Sequence, residues 1–87
     1  MNMQVAVLTG QVEVVKRLLR YVRREYTIKR NKLVEMITNH QQGAIYYNVQ
    51  GDARTFEQFI KLYEKILKEY EQALEEAKKR DTNEDPT

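Results

Sequence analysis

The stretch that decides the fold is TNHQQGAIYYNVQGD, residues 38–52, which lies near the middle of the 87-residue chain. It contains two of the three glycines, Gly43 and Gly51, whereas the sequence on either side is highly charged and follows a helical hydrophobic period. Glycine favours connections because it adopts positive φ without steric cost. We therefore predict a connection over residues 42–52, between a first helix at about 11–41 and a second helix at about 53–80.

The first helix carries a long apolar seam, by which we mean the residues that recur at alternating steps of three and four. They are Val5, Leu8, Val12, Val15, Leu19, Val22, Tyr26, Leu33 and Met36, and Lys29 is the one interruption. This spacing is typical of helices that pack along one another as in coiled coils. Because the seam already includes Val5 and Leu8, the helix begins either near residue 3, with Gly10 inside it, or near residue 11.

The same helix has a second apolar line beside the seam, formed by Val14, Leu18, Tyr21 and Ile28. Projected at 100° per residue, its apolar positions span about 200°, against a little over 100° for a usual amphipathic helix. One neighbouring helix cannot cover so wide an arc. We therefore predict a homo-oligomer, most simply two hairpins that form a four-helix bundle, and we name these four residues as candidate partner-binding residues.

The second helix has a single apolar stripe and an acidic surface. The stripe consists of Phe56, Phe59, Ile60, Tyr63, Ile66, Leu67, Tyr70, Leu74 and Ala77. Residues 11–40 contain eight basic and three acidic residues, whereas residues 52–87 contain seven basic and ten acidic ones. Since a short connection joins antiparallel neighbours, the sequence predicts an all-α, antiparallel two-helix hairpin as a single domain over residues 1–80. Residues 81–87, DTNEDPT, are expected to form a disordered polar tail.

The connection itself contains an apolar run. Ile45, Tyr46, Tyr47 and Val49 have strand propensity, and Asp52 after them is expected to be the N-cap of the second helix, with Thr55 as the rival cap. Either the run folds back and plugs the end of the bundle, or it stays exposed and docks a partner. In an extended segment the two tyrosines point to opposite faces, so both are candidate partner-binding residues.

The sequence contains no recognisable catalytic or cofactor motif. It has no cysteine, no serine and one histidine, His40, which we interpret as a polar residue at a helix end. The three glycines form neither a dinucleotide-binding motif nor a P-loop. We therefore expect a non-enzymatic protein with no catalytic residue, no metal site and no cofactor.

The start of the chain, MNMQVAVLTG, lacks the basic segment of a signal peptide, and no apolar stretch reaches the length of about 18 residues that spans a bilayer. We expect a cytoplasmic protein with no membrane partner. Its partners are expected to be a second copy of itself and another protein, which makes it an interaction or assembly module.

The alternative function is binding of a nucleic acid or of an anionic ligand such as a nucleotide. It would use the basic face of the first helix, formed by Lys16, Arg17, Arg20, Arg23, Arg24 and Arg30. A helix of this kind binds phosphates and releases their counterions, so the binding weakens with salt.

Overall fold

The structure, a computed structural model, describes residues 3–41 and 43–83, the last three of them by their backbone alone. It contains two helices, α1 (Met3–Thr38) and α2 (Ala44–Asn83), which pack along one another. They run antiparallel, since Arg23 of α1 contacts Glu64 whereas Lys29, further along α1, contacts the earlier residue Asp52. The molecule is a rod with extents of 69 × 15 × 14 Å. The predicted all-α antiparallel hairpin is confirmed.

The seam of α1 forms the core of the hairpin. Its buried members are Leu8, Val12, Val15, Leu19, Val22, Leu33 and Met36, and Leu19 retains only 2% of its surface. In the middle of the rod, Val15, Leu19 and Val22 pack against α2 residues that include Ile60, Tyr63 and Leu67. Full burial of a Val or Leu side chain stabilises by about 1.5–3 kcal/mol, so this line of contacts holds the two helices together.

α1 begins well before residue 11. It starts at Met3, and Leu8 is buried in the core, so the seam extends to the start of the helix as the earlier of the two predicted boundaries requires. The start near residue 11 is wrong. Gly10 lies inside the helix, where a Cβ atom would meet nothing within 4 Å. Its cost to the helix is about 1 kcal/mol relative to alanine.

α1 ends at Thr38, three residues before the predicted boundary, because backbone hydrogen bonds from the next residues cap the helix there. The N–H of Gln41 donates to the carbonyl of Met36 at 2.8 Å, and the N–H of His40 donates to the carbonyl of Ile37 at 3.1 Å. This pair of bonds is the Schellman motif that satisfies the last carbonyls of a helix. His40 occupies its left-handed position, with φ at 56°, where glycine is the usual residue.

The connection is shorter than predicted. α2 begins at Ala44, so the prediction of a connection over residues 42–52 is wrong, and so is the expectation of positive φ at Gly43 and Gly51. Val49 and Ala53 are buried against Leu33 and Met36. This burial outweighs both the strand propensity of the run and the cost of about 1 kcal/mol for a helical glycine.

Two expected caps of the second helix lie inside α2 instead. Asp52 forms an ion pair with Lys29, and the hydroxyl of Thr55 donates to the carbonyl of Gly51, one turn back, at 3.0 Å. At the other end α2 continues to Asn83, so the predicted tail is wrong for residues 81–83. The remainder of that prediction, residues 84–87, lies outside the described residues.

Candidate interaction surfaces

Opposite charges from the two helices line one edge of the hairpin. On α1 this edge is formed by Lys16, Arg23 and Arg30, and on α2 by Glu57, Glu64 and Glu71, each set with a spacing of seven residues. Arg23 Nη2 lies 3.4 Å from Glu64 Oε1, Arg30 and Glu57 line one groove, and Lys16 and Glu71 line another. The Arg23 and Glu64 side chains are 55% and 51% exposed, so the pair is worth at most about 1 kcal/mol. Its value here is to show which edges of the helices meet.

The opposite edge of the hairpin is apolar. Each charged residue of the first edge directly follows a residue of the α1 seam or of the α2 stripe. Residues that directly precede seam or stripe residues therefore lie on the other edge. Leu18 and Phe59 are two of these, and their neighbours three, four or seven residues away on the same side extend the surface. The lateral apolar face, as we call it, consists of Val14, Leu18, Tyr21 and Ile28 from α1 and Phe59 and Leu62 from α2. All six side chains are 40–58% exposed.

The sequence-based candidates account for the α1 half of this face. Val14, Leu18, Tyr21 and Ile28 all lie on it and all are left uncovered by α2. The α2 half was missed, because Phe59 was counted with the buried stripe and Leu62 was not singled out. The steps of three and four run from Phe56 to Ile60 to Tyr63 and skip both residues, which was the available signal.

Four more large apolar residues, Val34, Ile37, Ile45 and Tyr47, are 51–66% exposed near the tip of the hairpin. Val34 and Ile37 line a groove with Arg30, whereas Ile45 lines a different pocket with Lys32. Tyr46, by contrast, packs against the core cluster that contains Leu33 and Met36. The expectation that the two tyrosines point to opposite faces of an extended segment is wrong, because they are neighbours on a helix and point about 100° apart. One of them packs inward while the other stays exposed. The two rings meet edge to face, with centroids 5.4 Å apart.

The six predicted anion-binding residues do not form one group. Lys16, Arg23 and Arg30 lie against the glutamates of α2, and Arg20, three residues before Arg23, lies on the same side. Arg17 and Arg24 project from the part of α1 that is furthest from α2, as their position opposite the seam requires. Arg17, Arg20 and Arg24 have no ion pair within the described part of the chain.

α2 adds cations that sequence reasoning did not single out. Arg54, Lys61 and Lys68 each lie three residues before one of the edge glutamates and are exposed. Lys61 Nζ lies 3.7 Å from Glu57 Oε1, and Arg54 lines the same groove of about 300 Å³ as Arg30. The charged side of the rod therefore receives cations from both helices.

The described residues were also compared with the requirements of a metal site and of a membrane-spanning helix. Within residues 3–41 and 43–83, no three His, Cys, Asp or Glu side chains are grouped so as to hold a metal ion. Over the same residues, neither helix has an apolar stretch long enough to cross a membrane. His40 has a structural place, as the left-handed residue that ends α1. Comparison of the chain with protein-family models, curated proteins and solved structures finds no match.

Proposed function

We propose that this protein is a non-enzymatic assembly module in which two hairpins join through their lateral apolar faces into a four-helix bundle. The observation that carries the proposal is the exposure, on one side of a thin rod, of six large apolar side chains from both helices. Contiguous apolar surface of this kind marks interaction sites on soluble domains. The proposal that the module is non-enzymatic is based on the sequence, which has no serine, no cysteine and a single histidine.

The position of the face along the rod favours a second copy of the chain as the partner. On α1 the face extends from Val14 to Ile28, about 21 Å at a rise of 1.5 Å per residue. Tyr21, the midpoint of that span, lies near the middle of α1, and Val7, seven residues before Val14 and 54% exposed, continues the apolar line toward the start of the helix. A two-fold axis through the centre of the face therefore brings each apolar side chain onto the same patch of the other copy. Two-fold dimers require such self-complementary surfaces, and here the two rods overlap along their length.

The low charge of the face supports the same arrangement. The residues of α1 that lie on it recur at steps of four and three, and between Val14 and Ile28 only Glu25 is charged. Charged residues are depleted from the buried centres of protein interfaces, because an unpaired charge there is costly. The charged edge of the rod has the opposite composition, so the two sides are chemically distinct.

Matched valine substitutions test the proposal. Val14 on the lateral apolar face and Val34 at the tip both lie on α1 and are exposed to a similar extent. We expect the wild-type chain to be a dimer by sedimentation equilibrium at about 50 µM, well above a dissociation constant of about 1 µM. Val14→Glu should yield a helical monomer, whereas Val34→Glu should remain a dimer. A wild-type monomer at this concentration, or equal dissociation of the two variants, would overturn the proposal.

A further inference from the structure

We propose that the charged side of the rod binds the phosphate backbone of a nucleic acid. The basic face, as we define it, consists of Lys16, Arg20, Arg23 and Arg30 from α1 and Arg54, Lys61 and Lys68 from α2. It lies across the rod from the lateral apolar face, so dimerisation leaves it open. The inference does not depend on the dimer, because each hairpin carries a complete basic face.

The charge balance of this face is positive even though α2 as a whole is acidic. Its seven cations and Lys78 stand against five carboxylates on the same side, those of Glu13, Glu57, Glu64, Glu71 and Glu75. Eight minus five leaves three positive charges in excess on each hairpin. Glu57, Glu64 and Glu71 lie in the middle of the face, where Glu64 contacts Arg23, and Lys61, Lys68 and Arg54 lie outside them. Glu13 and Glu75 line one groove beyond Lys16 and Lys68. A ligand that approaches from solvent therefore meets the outer cations first.

The layout of the cations suits an extended polyanion. From Lys16 to Arg30 the α1 row is about 21 Å long, and the α2 row from Arg54 to Lys68 has the same length. The two rows lie on helices whose axes are about 8–10 Å apart, as in other packed helix pairs. Parallel rows of charge match a chain of phosphates better than they match one small anion, which a compact pocket would hold.

The composition of the rows further favours backbone contact over base recognition. Four of the seven cations are arginines, whose planar guanidinium binds phosphate oxygens in a bidentate manner. Tyr26 and Tyr46 line the groove of Arg30 and Arg54, but both are half-buried and pack against the core, so their rings are not free to stack on bases. We therefore infer binding that depends on phosphate density and not on sequence.

The experiment measures the fluorescence anisotropy of a labelled 20-base-pair DNA duplex with the full-length protein. A duplex of unrelated sequence, an RNA duplex and a single strand form separate arms that distinguish the source of the phosphates. Neutralisation of about three phosphates predicts that the association constant falls about 40-fold between 50 and 200 mM salt. The two DNA duplexes should bind equally.

Two double variants with the same change of net charge locate the site. Arg20→Glu with Arg54→Glu reverses one cation in each row, whereas Lys32→Glu with Arg80→Glu reverses two cations on the opposite edge of the rod. We expect the first to abolish measurable binding and the second to change the affinity less than fivefold, with both helical by circular dichroism.

Three results would overturn the inference. They are no binding by the wild type in low salt, equal losses in both variants, and displacement of DNA by polyglutamate at the same charge concentration. The last result would indicate an acidic protein partner instead. Because the dimer is measured separately with Val14→Glu, failure of the nucleic-acid inference is distinguishable from failure of the assembly proposal.

Discussion

Lys29 Nζ lies 3.8 Å from Asp52 Oδ2, and this ion pair joins the one charged position of the α1 seam to α2. The Lys29 side chain is 28% exposed, so its alkyl chain lies along the core while its ammonium group leaves it. A single polar residue in such a seam fixes the register of paired helices at a cost in stability. The antiparallel register of this hairpin has one such marker.

Replacement of this marker should stabilise the hairpin. Lys29→Leu continues the apolar seam, and we expect the free energy of unfolding to rise by about 1–2 kcal/mol, because apolar burial exceeds the worth of a partly exposed ion pair. Urea denaturation measures the change. Lys32→Leu, at an exposed position of the same helix, is the control and should change stability by less than about 0.5 kcal/mol. A less stable Lys29→Leu variant would show that the ion pair outweighs the apolar contact.

Alanine at the two adjacent tyrosines should have unequal effects. Tyr46 packs against the core cluster near the tip, whereas Tyr47 is mostly exposed. We expect Tyr46→Ala to lower the free energy of unfolding by about 2–3 kcal/mol and Tyr47→Ala by less than about 1 kcal/mol. Thermal and urea denaturation of the two variants test this. Equal losses would mean that Tyr47 also belongs to the core and that the tip is only a plug.

Glycine at the end of α1 should stabilise the protein. His40 has φ of 56°, a conformation that costs a residue with a side chain about 1 kcal/mol more than it costs glycine. We expect His40→Gly to raise the melting temperature by about 4–8 °C, the shift that 1 kcal/mol produces in a domain of this size. Differential scanning calorimetry gives the value. His40→Val, with a branched side chain in the same conformation, should lower it, and a rise in both variants would contradict the Schellman assignment.

The helical glycines offer a second route to higher stability. At Gly10 and Gly51 an added Cβ meets nothing within 4 Å, and neither residue has positive φ. Each change to alanine should therefore add about 0.5–1 kcal/mol, and the two should be additive because the residues are on different helices. Urea denaturation of the single and double variants measures this. A loss of stability in Gly10→Ala would indicate a contact at that position that the hairpin alone does not contain.

The fold was largely predictable from the spacing of the apolar residues. The seam from Val5 to Met36 correctly identified the buried side of α1, and the four residues beside it correctly identified what α2 leaves exposed. The boundaries failed where local propensity and tertiary packing disagree. Gly43, Gly51 and the aromatic run between them suggested a loop. Burial of Val49 and Ala53 against α1, a long-range contact, extends the helix through that run instead.

The α2 residues of both surfaces could not be identified from the sequence, for a different reason. Once the helices are paired, the ion pair of Arg23 and Glu64 determines which edges meet. Only then do Phe59 and Leu62 fall on the same edge as Leu18, at the level of Ile28 and Glu25. The same relation places Arg54 beside Arg30. In the sequence these residues lie in the acidic half of the chain, far from the α1 residues that they join. The sequence therefore does not show that the two sets form common surfaces.

The seven-residue repeat of the α1 seam and of the α2 stripe limits how the length of the rod can change. Seven residues added to each helix at the same level restore every side chain to its original face and separate the two ends by about 10 Å more. Six or eight would rotate the outer half and bring polar groups into the core. The length of the hairpin can therefore change in steps of about 10 Å without any change in the side chains that its surfaces present.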